Sequence, residues 1–332
     1  MAGRRYLLAL LLTLPACAGA QRPDTPAGRN GGQRSIRAVK VDTAAARVAA
    51  EKAALVARTD TTALRRTLDS LAQAHHGVLG YSIVNVETGE RLSLLGDSTF
   101  PTASLIKVPI LVTVFDLVAK GELSLDDKLV MLAIDKVGGS GVISNLHSGL
   151  ELTVGDAAFL MITLSDNTAT NLLLDRILIR RVWRKMEALA LPHTKVHSRS
   201  MIRDASVAMD SSVKYGFGVT TPNEMTQLFA LLAQGKAVDA RSDSAMVAML
   251  TKTGFTEMLR RHTGGVRTAS KYGAVSDART ECALWFLPAR VVACVLTKDN
   301  VDRRWIIDSE PQVTLAKMGE AIVGAWRPPP KG

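Results

Sequence analysis

Ser104 and Lys107 stand three residues apart at the head of a long apolar run, LIKVPILVTVFDLVAKG. At helical spacing their side chains share one face. A serine hydroxyl is a poor nucleophile at neutral pH. A neighbouring lysine can take its proton if burial lowers the amine's pKa far enough to leave part of it neutral. The apolar run supplies that burial. A serine at a helix N-terminus also has backbone N–H groups and the positive dipole end facing any developing oxyanion. The chemistry such a pair supports is acyl transfer through an ester on Ser104. A serine–lysine pair at this spacing arises often by chance, so it needs companions.

Two are present. Ser165-Asp166-Asn167 lies between apolar runs and reads as a polar loop held against the core, or as the cap of a helix beginning at Thr168. Lys271-Tyr272-Gly273 falls on the first of three C-terminal strands, where the lysine serves a site or simply decorates an exposed edge. Together the three motifs resemble those of the class A β-lactamase and penicillin-binding protein superfamily of serine hydrolases, over Thr61 to about Trp326.

The resemblance implies a role for each residue. Ser104 is the acylated nucleophile and Lys107 its base or proton relay. Ser165 passes a proton to the leaving nitrogen, and Asn167 hydrogen-bonds the amide side chain of the substrate. Lys271 attracts a substrate carboxylate and tunes Ser165. Gly273 and Ala274 border the substrate, with the N–H groups of Ser104 and Ala274 as oxyanion donors. Arg279 is a second anchor for the carboxylate. No metal or other cofactor is implied. The expected activity is that of a β-lactamase-like enzyme on β-lactams or related cyclic amides. The alternatives are a D,D-peptidase or esterase on cell-wall-derived acyl substrates, and a penicillin-binding protein that does not turn over.

Two departures qualify this. Tyr272 stands where the third motif usually has Thr or Ser, so the small hydroxyl that would meet the carboxylate is missing. Lys252-Thr253-Gly254 fits those letters better, but it continues the helical run MVAML and lies too early for the sheet edge. The second departure concerns the glutamate that activates the deacylating water in class A enzymes. Its slot falls near Met201 counting forward and near Ser206 counting back, and Asp204 is the only acid between them. Acylation without efficient deacylation is the expected consequence.

The elements that position these residues follow from periodicity. Leu64, Leu68 and Leu71 mark an amphipathic helix, and VLGYSIVNV with RLSLL reads as a β-hairpin. The run from Ser104 reads as one buried helix, with LTVGDAAFLMITL, TATNLLLDRIL and a segment opened by Thr221-Pro222 as further helices. GVRTASKYG, ECALWFL and ARVVACVLT return to the strand pattern, and a helix over Val313 to Trp326 closes the chain. The order predicts an α+β fold: a five-stranded antiparallel sheet built from both ends of the sequence, flanked by terminal helices, with an all-helical part inserted. Residues 61–103 and 264–328 form the α/β part of a domain spanning 61–330, and 104–263 the helical part.

Upstream, Arg4, Arg5 and an apolar stretch followed by small residues read as a signal peptide over 1–20. Cleavage after Ala20 releases the chain, whereas Leu14-Pro15-Ala16-Cys17 resembles a lipobox that would anchor it through a lipid on Cys17. Residues 21–60 read as a flexible tether. The expected location is the bacterial periplasm or envelope. Cys282 and Cys294 read as buried small hydrophobes, with a cross-strand disulfide as the alternative that export permits. The chain of 332 residues carries a net charge of +10 but no basic run of the kind that binds nucleic acid. A small-molecule substrate and a monomer are expected, and the six histidines lack metal-ligand spacing.

Overall fold

Strands from opposite ends of the chain pair in one sheet, as the long helical insertion requires. The computed structural model describes residues 61–327, and the leader, the tether and Cys17 lie outside them. Helix α1 (Thr61–Gln73) leads into β1 (Val78–Asn85), β2 (Arg91–Leu94) and the short β3 (Phe100–Pro101). A 3₁₀ turn over Ala103–Ile106 runs into α2 (Lys107–Ala119). Strands β4 (Lys128–Met131) and β5 (Leu150–Thr153) precede α3 (Val154–Thr163), α4 (Asn167–Ile177) and α5 (Ile179–Ala188). Then come β6 (Lys195–Val196), α6 (Met209–Tyr215), β7 (Gly218–Thr220), α7 (Pro222–Gln234) and α8 (Ala240–Leu250). Strands β8 (Thr268–Val275), β9 (Ala278–Phe286) and β10 (Arg290–Lys298) and helix α9 (Glu310–Trp326) finish the domain.

The main sheet is five-stranded and antiparallel, ordered β2-β1-β10-β9-β8. Its middle strands are apolar almost throughout because both faces are covered. Helices α1 and α9 close one face over Leu68, Trp285, Leu315 and Ile322. The helical block closes the other over Ile110, Met161, Leu173 and Phe229. Every residue of α2 from Lys107 to Leu117 is buried, which is why its sequence is apolar all round. This arrangement leaves β8 as the sheet edge nearest the nucleophile turn.

Three local expectations are corrected. The run from Ser104 is a 3₁₀ turn and then a helix, not one helix. Pro109 has no N–H to return to the Leu105 carbonyl, so the α-helical ladder cannot extend back through it. Leu150–Thr153 pairs with β4, and the helix starts only at Val154, where Thr153 and Asp156 form a capping box. Cys282 and Cys294 are joined by a disulfide, although both are fully buried as expected. They sit directly opposite each other on β9 and β10 with Cα atoms 4.1 Å apart, close enough for the bridge.

Candidate active site

The nucleophile turn is clamped between two sheets. Thr102 N–H donates to the Gly218 carbonyl on β7 at 3.0 Å, and the Thr102 carbonyl accepts from Thr280 Oγ1 on β9 at 2.9 Å. Since a 3₁₀ turn has three residues per turn, Ser104 and Lys107 lie on one side of it. Strand β8 runs against this turn at Gly273. A Cβ there would lie 2.4 Å from the Thr102 oxygen and 2.8 Å from the Ser104 nitrogen, so only glycine lets the edge strand approach the nucleophile. Gly273→Ala should therefore push β8 off the turn and slow acylation by about 10²-fold, the scale of an ångström-sized misplacement. Gly254→Ala, whose Cβ would meet nothing within 4 Å, should leave the rate unchanged. Progress curves with a chromogenic cephalosporin compare the two directly.

Behind the turn two lysines converge on one hydroxyl. Lys107 Nζ donates to Ser165 Oγ at 3.2 Å, to the Ser165 carbonyl at 2.7 Å and to Asn167 Oδ1 at 2.8 Å. Lys271 Nζ donates to the same Ser165 Oγ at 3.1 Å and to the Tyr272 carbonyl at 3.0 Å. Both lysines are fully buried. Burial pushes the Lys271 ammonium down to about 7, partly opposed by the nearby Glu281. Lys107 is held well below the ordinary lysine range, by burial first and by the charge of Lys271 second. Burial, and for Lys107 the neighbouring ammonium as well, favours the neutral amine beside Ser165.

Ser165 is held in place by its neighbours. Its φ of 54° is in the left-handed region that a non-glycine residue rarely occupies. Asp166 Oδ1 caps α4 by accepting from Ala169 N–H at 2.9 Å, while Oδ2 accepts from Val142 and Ile143 N–H at 2.6 and 3.0 Å. Asn167 Nδ2 donates to the Gly138 carbonyl at 3.0 Å. The motif thus does both things its sequence suggested. It caps a helix, one residue earlier than expected, and it straps a loop across the buried lysines.

These residues border a cleft of about 1280 Å³ lined by Ser104, Asn167, Tyr272, Ala274 and Arg279, with residues 198–204 as the facing wall. That wall is pinned by Asn171, whose amide exchanges hydrogen bonds with the Ser200 backbone at 2.7 and 3.0 Å. Asp204 lies on it, exposed in the turn Arg203–Ala205. Arg279 is fully buried, and its Nη atoms donate to the carbonyls of Val275, Ala278 and Arg304. Lys252 is exposed on the turn after α8 and does not line the cleft. Tyr272 stacks on Phe255, with ring centroids 3.7 Å apart.

Two contributors escaped the sequence reading. Glu281 is fully buried on β9, opposite Tyr272, and accepts from Leu259 N–H at 2.7 Å. Burial pushes its carboxyl up to about 7. Its signal was a charged residue opening the otherwise apolar run ECALWFL. Asn171, one helical turn beyond Asn167, carried no signal until the fold brought residue 200 to it.

A clamped serine turn with two buried lysines on one hydroxyl fits a hydrolase of the serine β-lactamase type. A profile of the beta-lactamase enzyme family matches residues 63–326, and the chain belongs to that family. It is similar to a crystal structure of a beta-lactamase from Sphaerobacter thermophilus, with 29% identity and a TM-score of 0.72 over 81% of this chain and 100% of that one. A structure of PBP-A matches in fold at 23% identity and a TM-score of 0.70, covering 80% of this chain and 96% of that one. An ancestral class A beta-lactamase matches in fold at 24% identity and a TM-score of 0.69, covering 79% and 99%. No curated protein sequence matches the chain.

Proposed function

We propose that the protein acylates itself on Ser104 with β-lactams or related cyclic amides and releases the acyl group slowly. The observation that carries this reading is the Ser165 hydroxyl shared by Lys107 and Lys271 beside the nucleophile turn. Neutral Lys107 takes the Ser104 proton as Oγ attacks the carbonyl carbon, and the N–H groups of Ser104 and Ala274 hold the oxyanion. The C–N bond then breaks, and the proton returns through Ser165 to the leaving nitrogen. Asn167 has one amide hydrogen left for the substrate after its bond to Gly138.

Deacylation needs a base for water, and the acid on the facing wall is the exposed Asp204. An exposed aspartate with no hydrogen bond holding it among the described residues is poorly placed for that work. This observation favours, as a second reading, a protein that keeps its acyl group. A fluorescent penicillin tests the proposal: a denaturation-resistant label that outlasts removal of free reagent is expected. A protein that never becomes labelled would instead be an esterase or peptidase of other acyl substrates.

A further inference from the structure

Resting on the assignment of Ser104, we propose that the shelf formed by Tyr272, Phe255, Trp305, Ile306 and Ile307 along β8 binds an uncharged aromatic group of the acyl donor, where a free carboxylate would be rejected. All five residues line the nucleophile cleft. Trp305, Ile306 and Ile307 are 67%, 47% and 44% exposed, a cluster of apolar surface at a cavity mouth of the kind that marks a binding site.

Their exposure does not come from a loose loop. Arg304 is paired to Asp302 at 2.7 Å, and Asp302 also accepts from Glu310 N–H at 2.9 Å. Arg261 donates to the Ile307 carbonyl at 3.0 Å, and Arg279 to the Arg304 carbonyl at 3.1 Å. Trp305 lies over the Arg279 guanidinium, 4.6 Å from carbon to ring centroid.

The charges around the shelf argue against an anion. Lys271 is buried, and its ammonium donates to Ser165 Oγ and the Tyr272 carbonyl. The Nη atoms of Arg279 donate to three backbone carbonyls. Glu257 lines the same side, accepting from Gln312 at 3.2 Å, and would repel a carboxylate. Arg203 and Arg199 stand on the facing wall instead, and Arg199 is paired with Asp175 at 3.0 Å. On that wall the exposed Arg203 is the cation free to meet an anionic group among the described residues, and the β8 side offers stacking and apolar burial.

The test compares penicillin G with its benzyl ester, which masks the carboxylate and adds a ring. Each forms an ester to Ser104 Oγ as the lactam C–N bond breaks and the nitrogen gains a proton, so intact-mass spectrometry counts the same event. The benzyl ester should acylate about tenfold faster than the free acid. Trp305→Ala should bring that ratio close to one. Ile134→Ser, at an 83% exposed position outside the cleft, should leave the ratio as it is. A free acid that reacts faster than its ester, or a ratio untouched by Trp305→Ala, overturns the proposal alone. No adduct from either compound overturns it together with the assignment of Ser104.

Discussion

Lys107→Met should lower the rate of Ser104 acylation by ~10²–10⁴-fold, the usual contribution of a general base. Methionine keeps the length and apolar stem of the lysine but has no amine to accept a proton. It also leaves the Ser165 carbonyl and Asn167 Oδ1 without the donor they now share. A buried acceptor left unpaired costs about 1–3 kcal/mol, offset in part because a buried cation is removed as well. Lys107→Arg keeps donors for those acceptors but cannot become neutral, so acylation should stay slow, and a larger permanent charge buried beside Lys271 should not restore the stability. Stopped-flow acylation with a fluorescent penicillin, beside thermal melts of each variant, gives both numbers. Near-normal acylation in either variant would move the base elsewhere, with Lys271 first in line because its ammonium is brought down to about 7 on the same hydroxyl.

The second large effect lies in the wild-type time course. Product should appear in a burst of one equivalent per active site, followed by a steady rate ~10²–10⁴-fold slower, because among the described residues the acid on the wall facing Ser104 is the exposed Asp204, poorly placed to activate the deacylating water. Asp204→Asn should match the wild type in both phases. That aspartate is exposed, and no partner among the described residues aims it at the ester. A burst that persists while turnover collapses in Asp204→Asn would assign it the water after all. Fast turnover with no burst, indifferent to the substitution, would mean that a different group does so.

The sheet, the helical block and the three motifs were legible because each rests on local pattern. Short apolar runs bounded by turn residues became β1, β9 and β10, and an all-round apolar run became the buried α2. Tertiary contact decided what pattern could not. Lys107 and Lys271 are far apart in sequence, and only the closing of β8 against the 3₁₀ turn puts both on Ser165. The cysteines were ambiguous for the same reason: two apolar runs predict strands but not their register, and the register sets Cys282 against Cys294. Its position beyond the third motif suggests Arg279 as an anchor; the Trp305 ring over its guanidinium comes from residues 301–309, which carry no periodic signal to place them.

The central claim is that Ser104 is the residue acylated and that the acyl group leaves slowly. Intact-mass spectrometry of wild type and Ser104→Ala, sampled over minutes after mixing with penicillin G and followed by peptide mapping, tests it most directly. The wild type should gain the mass of one penicillin per chain, on the peptide that contains Ser104, and hold it after excess reagent is removed. Ser104→Ala should gain nothing. An adduct on the alanine variant, or a wild type that consumes penicillin through many turnovers without ever carrying the adduct, would contradict the account.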